Sequence, residues 1–379
     1  MRAPLGNLEA AEFLQNYWQK KPLLIRQALP AFEPGLDIDD IAGLACDEMA
    51  ESRLVSGSYP EHDWELAYGP FDEKTLRKLP DRGWTLLVQD VEKHYPPLLD
   101  LLDRFDFLPR WRIDDLMVSV AAPGGSVGPH TDQYDVFLIQ AEGRRRWQIA
   151  SVFEPALLAG TDLNVLESFE PEQEWVLEPG DMLYLPPGIA HHGVALDTGM
   201  TWSVGMRAPS AADLLQGLGE WLADHRAEGE RYADPGLEPP VHTAELDALS
   251  IKRFQSLATG AVNSDAGFSE FLGAFLSRYR LAHEPAGPET PLTVQALQAS
   301  LDQGAVLRHN PWTRLLWFPG ANGAMLFAAG AGHACSRGFA MDVCNRRTLP
   351  VKGPALAADN PDLLCELVNT GHLYLEAPS

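Results

Sequence analysis

Cysteine is scarce in this chain of 379 residues. There are four, Cys46, Cys335, Cys344 and Cys365, and no two form a CxxC pair. That excludes a disulfide framework and a zinc knuckle, which both need closely patterned thiols, and the four are read as ordinary free thiols. Long apolar runs are missing too. No stretch approaches the roughly 20 residues that cross a bilayer as a helix, and the opening MRAPLGNLEAAEFLQNYWQKKPLL lacks the basic-then-apolar layout of a signal peptide. The expectation is no membrane and a cytoplasmic location. Cations are also in short supply, with 29 Lys and Arg against 53 Asp and Glu, a net charge of −24. A nucleic-acid backbone needs clustered cations, so direct nucleic-acid binding is not expected, whereas an acidic surface permits a basic protein partner.

What is present is an ordinary globular composition, 45% hydrophobic and 22% charged, over a length that suits two or three domains. Residues 1–50 read as helical, with an amphipathic helix around Phe13, Leu14 and Trp18 and an extended KKPLLIRQ after it. From 111 to 207 the pattern changes to short β-type runs broken by Gly and Pro: WRIDDLMVSVAA, VGPHTDQYDVFLIQA, RRRWQIA, EWVLEPGDMLYLPPG and TWSVGMRAP. Closely spaced short strands predict a sandwich or barrel. Their one-sided apolar alternation and the EPGD turn predict a small jelly roll of the cupin type. Beyond Pro209 the period becomes helical. Ser210 and Asp213 make a helix start, Leu214, Leu215, Leu218, Trp221 and Leu222 follow at helical spacing, and 246 to about 280 reads as helix again. ADPGLEPPVH is a loop and HEPAGPETP a linker by composition. The remainder mixes a helix over 294–301, Gly-rich strands and a final helix near 362–370.

The chemistry concentrates in PGGSVGPHTDQYDVF and, well downstream, LPPGIAHHG. Residues two apart on a strand point to the same face, so His130 and Asp132 project together into the barrel. A histidine from a neighbouring strand would complete one face of an octahedron. Two histidines and a carboxylate leave three positions open, the set expected of a non-haem Fe(II) oxygenase; zinc or nickel could use the same ligands. His191 and His192 are adjacent and point to opposite faces of an extended segment. Spacing from the PPG turn favours His191, which leaves His192 as a supporting or surface group. An oxygenase of this type also holds a dicarboxylate cosubstrate, whose far carboxylate wants a semi-buried cation. In GRRRWQIA, Arg145 shares a face with Trp147 and Ile149, the inward side by parity, and its planar fork suits a carboxylate. Arg144 and Arg146 fall on the other face as a solvated or partner-facing stripe.

The run VGPHTDQYDVFLIQAEGRRRWQIA, with LEPGDMLYLPPGIAHHG and TWSVGMRAP, resembles the JmjC-type ribosomal oxygenases. The closest likeness is to their bacterial branch, the ribosomal protein arginine 3-hydroxylases. NYWQKKPLLIRQ, SRLVS, WTLLVQDV and RYADP fit the same branch, so the likeness is dense from 110 to 210 and thin after 240. It implies an α+β protein with a double-stranded β-helix (jelly-roll/cupin, JmjC) catalytic domain over 1–208, elaborated by N-terminal helices. A helical dimerisation region over 209–284, giving a homodimer, and a winged-helix-like domain over 285–379 would follow. The resemblance also implies Fe(II) on His130, Asp132 and His191, 2-oxoglutarate held by Arg145 and Ser119, dioxygen as second cosubstrate, and no protein base. The reaction it implies is hydroxylation of the β-carbon of an arginine in a large-subunit ribosomal protein, with release of succinate and CO2. A substrate guanidinium would want carboxylates near the barrel mouth, and Asp114, Asp115 and Asp135 are the candidates.

Two other readings share these motifs, a histidine hydroxylase or demethylase of the same fold and a non-oxygenase metal-binding cupin. The chain has HH where the bacterial branch more often has a single histidine. From residue 287 onward Arg308, Arg314, Arg337, Arg346, Arg347 and Lys352 face seven acids, a balance that favours a structural or protein-contacting role over DNA binding.

Overall fold

A computed structural model of the chain describes residues 3–225, 231–236, 246–262, 265–279, 283–345, 348–349 and 359–376. The chain divides into two compact units, Met1–Ala208 and Pro209–Ser379. The part of ADPGLEPPVH after residue 236, and Arg280, lie outside the described residues.

The first unit carries the strands β1 (Leu23–Ile25), β2 (Ser52–Ser56), β3 (Glu65–Tyr68), β4 (Trp84–Val88), β5 (Leu116–Ala121), β6 (His130–Thr131), β7 (Asp135–Glu142), β8 (Arg145–Ala150), β9 (Gln173–Leu177), β10 (Met182–Leu185), β11 (Ala190–Ala195) and β12 (Gly199–Met206). They form two antiparallel sheets, in the orders β1-β10-β7-β12-β5-β4-β2-β3 and β6-β11-β8-β9. This is the jelly-roll arrangement the strand spacing predicts. Its interior is a small apolar cluster in which Val136, Leu138, Leu183 and Leu185 of the large sheet meet Trp147, Ile149 and Leu177 of the small one.

The one-sided alternation expected of the strands does not hold in the middle of the large sheet. Every residue of β10 and β12 is buried. The reason is that residues preceding β5 cover the outer face: Phe137, Ile139, Tyr184 and Trp202 pack there with Phe13, Ile41, Leu102 and Phe105. A strand covered on both sides needs apolar residues at every position. Phe13 meets Tyr184 edge-on at 4.9 Å, and Trp18 stacks on Phe137 at 6.3 Å.

Residues 1–50 are also less helical than their composition suggests. Helices span only Ala10–Asn16 and Ile38–Leu44 among the described residues, the second started by a capping box between Asp37 and Asp40. The extended segment after the first helix becomes β1, an edge strand whose Leu24 pairs with Leu183 of β10. SRLVS and WTLLV form β2 and β4 and widen the large sheet.

The second unit opens with the helix Ala211–His225, started by reciprocal bonds in which the Ser210 N–H donates to Asp213 (2.8 Å) and the Asp213 N–H to Ser210 Oγ (3.1 Å). The helical stretch after 246 is two helices, Ala248–Val262 and Asp265–Arg278. After residues 283–291, which carry no helix or strand, come the helix Val294–Asp302 and the strands β13 (Val306–His309), β14 (Leu315–Gly320), β15 (Gly323–Ala328), β16 (Ala331–Cys335), β17 (Thr348–Leu349) and β18 (Leu373–Glu376). The sheets run β17-β13-β18 and β14-β15-β16. With the helices Arg337–Asn345 and Pro361–Asn369 they enclose a core that includes Leu301, Leu307, Leu326, Phe339, Leu364 and Leu367.

Candidate metal centre

Three side chains from the two ends of the β-type region meet on the small sheet. His130 of β6 lies directly across from His191 of β11 in the antiparallel register, and their rings are 4.2 Å apart. Asp132 follows β6 and brings Oδ2 to 3.6 Å from His191 Nε2. One ligand atom from each of the three falls within 4.8 Å of the others. The two-residue spacing in HTD works here although the strand itself ends at Thr131.

Backbone carbonyls set the orientation of both rings. His130 Nδ1 lies 2.9 Å from the Gly128 carbonyl and His191 Nδ1 lies 3.0 Å from that of Ile189. Each Nδ1–H donates to a carbonyl, which leaves Nε2 as the free lone pair. Gly128 has φ +80°, and a Cβ there would lie 2.7 Å from Val165, so only glycine brings the carbonyl into place. His191 is 2% exposed. Burial, with His130 beside it, holds its imidazole down at about 4, so it is neutral at pH 7 and able to bind metal. Two imidazoles and one carboxylate suit Fe(II) better than Mg2+ or Ca2+, which prefer all-oxygen sites.

His192 points to the other side of β11. It packs edge-on against Tyr59 (5.6 Å) and Phe169 (6.1 Å). Burial first, then the nearby Arg145, push its pKa down to about 4. It lies outside the cluster of ligand atoms.

A polar lining sits beside the triad on the inner face. Arg145, Trp147 and Ile149 share that face of β8 and are buried. Arg145 is 4% exposed, donates to the Gly193 carbonyl at 3.2 Å and to Ser119 Oγ at 3.4 Å, and lies over the Trp147 ring at 5.0 Å. Its Nε has no partner among the described residues. Burial alone lowers its pKa to about 10. No carboxylate of this chain pairs with it among the described residues, so the site is short of one anion. Gly193 makes room for it, because a Cβ there would lie 2.7 Å from Trp147 and 2.8 Å from Arg145 Nε. Thr201 and Gln140, which sequence reasoning missed, complete the lining: Thr201 Oγ1 donates to Gln140 Oε1 at 3.1 Å and lies 3.5 Å from Arg145. Arg144 is exposed and paired with Asp197 at 2.7 Å.

The three candidate acids separate. Asp114 pairs with Arg207 at 3.0 Å, and Arg207 lies over the Tyr134 ring at 4.4 Å. Asp115 sits next to the end of β12, where a Cβ on Gly205 would come within 3.2 Å of its Oδ1 and 3.8 Å of Tyr134. Tyr134, two residues past Asp132, was not singled out from sequence, although its parity with Val136 and Leu138 places it on the inner face. Asp135 is elsewhere. Its carboxylate is 0% exposed on the outer face of β7 and accepts from Tyr184 (2.6 Å), Gln19 (3.0 Å) and Arg112 (3.0 Å). It anchors the N-terminal cover and is not brought to the barrel mouth.

A jelly roll whose facing strands present two histidines and a carboxylate beside a buried, anion-seeking arginine defines a non-haem iron oxygenase of the JmjC class. The JmjC domain model matches residues 100–214, and a ROXA-like winged helix model matches 257–374. The chain is 34% identical over 370 residues to the ribosomal protein uL16 3-hydroxylase of Escherichia coli K12, covering 96% of this chain and 97% of that one. It is 42% identical over 232 residues to a probable ribosomal oxygenase of Haemophilus influenzae, covering 59% of this chain and 54% of the other. The solved structure of YcfD, a ribosomal oxygenase from E. coli, in complex with cobalt and 2-oxoglutarate superposes with a TM-score of 0.85 at 34% identity, over 98% of this chain and 99% of that one. The chain belongs to the JmjC ribosomal oxygenase family.

Proposed function

We propose that this chain is an Fe(II)- and 2-oxoglutarate-dependent dioxygenase that hydroxylates the β-carbon of an arginine in a large-subunit ribosomal protein, the uL16 class acted on by its E. coli relative. The observation that carries this reading is Arg145, a buried guanidinium without a carboxylate beside an oriented His-Asp-His cluster. His130 Nε2, Asp132 and His191 Nε2 would hold the iron. Arg145, with Ser119, would take the far carboxylate of 2-oxoglutarate, and a charge-assisted fork is the strongest hydrogen bond a protein offers it. With 2-oxoglutarate and dioxygen, the bound iron supplies the oxidant that replaces C–H by C–OH, giving succinate and CO2. The chain's residues orient the reactants and exclude water. Asp114 and Asp115, at the mouth, would receive the substrate guanidinium; Asp135 takes no part.

Incubating the metal-loaded protein with 2-oxoglutarate, air and uL16 from the same organism should add one oxygen to one arginine and release an equal amount of succinate. Mass spectrometry of the digest reads the first and product analysis the second. No turnover on uL16 or any ribosomal protein would overturn the assignment, and oxygen on a histidine instead would favour the histidine hydroxylase reading.

The reading extends to a homodimer through 209–284, supported by Leu249, Ile251 and Phe254, which are exposed on the helix Ala248–Val262. Sedimentation equilibrium should give twice the chain mass, and a monomer at micromolar concentration would sink this part. A ribosomal client implies the cytoplasm as the place of work.

A further inference from the structure

Behind the mouth of the barrel lies a buried acid that the reaction scheme leaves unused. Glu92 is 3% exposed, and its Oε2 accepts the N–H of Leu116 at 3.0 Å. That bond fixes the first residue of β5, directly after Asp115. Four acids face one another here. Asp90 pairs with Lys93 on the same turn, and Asp114 pairs with Arg207 at 3.0 Å. Among the described residues the ion pairs to these four carboxyls are those two, and they fall on Asp90 and Asp114 rather than on Glu92 and Asp115.

We propose that Glu92 is a positioning residue for the substrate arginine: it fixes Asp115 at the entrance of β5 and makes capture of the guanidinium expel a proton from the Glu92–Asp115 pair. This rests on the reading of Asp115 as the guanidinium partner. Two neighbouring carboxyls, one buried and one half-buried, do not both ionise easily. An arriving guanidinium supplies the missing positive charge, both carboxyls ionise, and the proton leaves to solvent.

The electrostatics support the geometry. Burial, then Glu92 and Asp114, push the Asp115 pKa up to about 8, and burial pushes Glu92 up to about 7. The groups facing Asp115 are Glu92, Asp90 and Lys93 from the preceding helix, Asp114 beside it and Tyr134 ahead of β7, while Arg207 after β12 is held by Asp114. A raised carboxyl is protonated below its pKa. Substrate binding therefore tightens as pH rises through about 7 to 8, and proton release is largest on the acid side of that window.

Calorimetry tests this on the full chain loaded with Co2+ and 2-oxoglutarate, titrated with an arginine-containing uL16 peptide. Runs in two buffers of different ionisation enthalpy count the protons released. The wild type should release close to one proton per peptide at pH 7. Glu92→Gln keeps an acceptor for Leu116 and removes the charge, so the pH midpoint for binding should fall by about one unit, with proton release at pH 7 reduced. A thermal melt checks that the variant folds, and Glu92→Asp should restore the wild-type profile. If the wild type binds and hydroxylates the peptide but its profile coincides with that of Glu92→Gln, the coupling is wrong while the proposed function stands. If the wild type neither binds nor hydroxylates any ribosomal protein, the proposed function itself has failed.

Discussion

Replacing His191 with alanine should strip the metal and the activity, whereas replacing His192 should leave both in place and weaken the fold. The two residues are neighbours in sequence and opposites in geometry. His191 faces His130 across the strand pair and reaches within 3.6 Å of Asp132. His192 faces Tyr59 and Phe169. Losing a partner that merely orients a ligand lowers metal affinity by about 10–100-fold, so losing a ligand outright should exceed that range. His192→Ala leaves a cavity under two aromatic rings, which costs about 2–3 kcal/mol. Elemental analysis of the purified variants reads the iron, and denaturant unfolding reads the stability. Iron lost only from His192→Ala would reverse the ligand assignment.

How much of this was legible beforehand depended on whether the signal is local. His130 and Asp132 are two positions apart, so a rule about strand parity brings them together without any knowledge of the fold. The same rule separates Arg145 from Arg144 and Arg146, because Trp147 and Ile149 mark the inner side. It fails for β7, where both sides are apolar. Val136 and Leu138 face the interior, Phe137 and Ile139 the outer core, and nothing in YDVFLI says which is which. Asp135 therefore looked as available as Asp115, while Tyr134, on the inner side, passed unnoticed.

The N-terminal half of the large sheet was illegible for a related reason. LLI was legible only as an extended segment, and SRLVS and WTLLV, five residues each, are too short to show a period. They become strands because distant partners, such as Tyr184 for Leu23 and Ser119 for Leu87, offer edges to pair with. Glu92 shows the same limit in the site itself. A single acid on a four-residue helix means little in sequence, and its meaning comes from the Leu116 N–H that the fold delivers to it.

Substituting Arg145 should separate stability from function more sharply than any other single change. In the protein without cosubstrate, a buried guanidinium with no carboxylate partner is unfavourable. Burial lowers its pKa from the ordinary arginine range to about 10, which means that folding disfavours the charged form. The penalty is present at neutral pH and is relieved only as pH rises through about 10. Arg145→Met removes the charge and keeps much of the volume, so the cosubstrate-free variant should melt at or above the wild-type temperature. Cosubstrate binding should reverse that ranking. Truncating one member of a buried, hydrogen-bonded charge pair costs about 3 kcal/mol or more, so the KM for 2-oxoglutarate should rise by over about 100-fold. Wild-type protein should also gain about 2.7 kcal/mol of stability at a hundredfold excess of 2-oxoglutarate over its Kd, and Arg145→Met should gain almost none. Arg145→Lys keeps the charge and loses the planar fork, so it should fall between the two. Thermal melts with and without 2-oxoglutarate, read beside steady-state kinetics, give all three comparisons. An Arg145→Met variant with a wild-type KM for 2-oxoglutarate would mean that the cosubstrate carboxylate is held elsewhere.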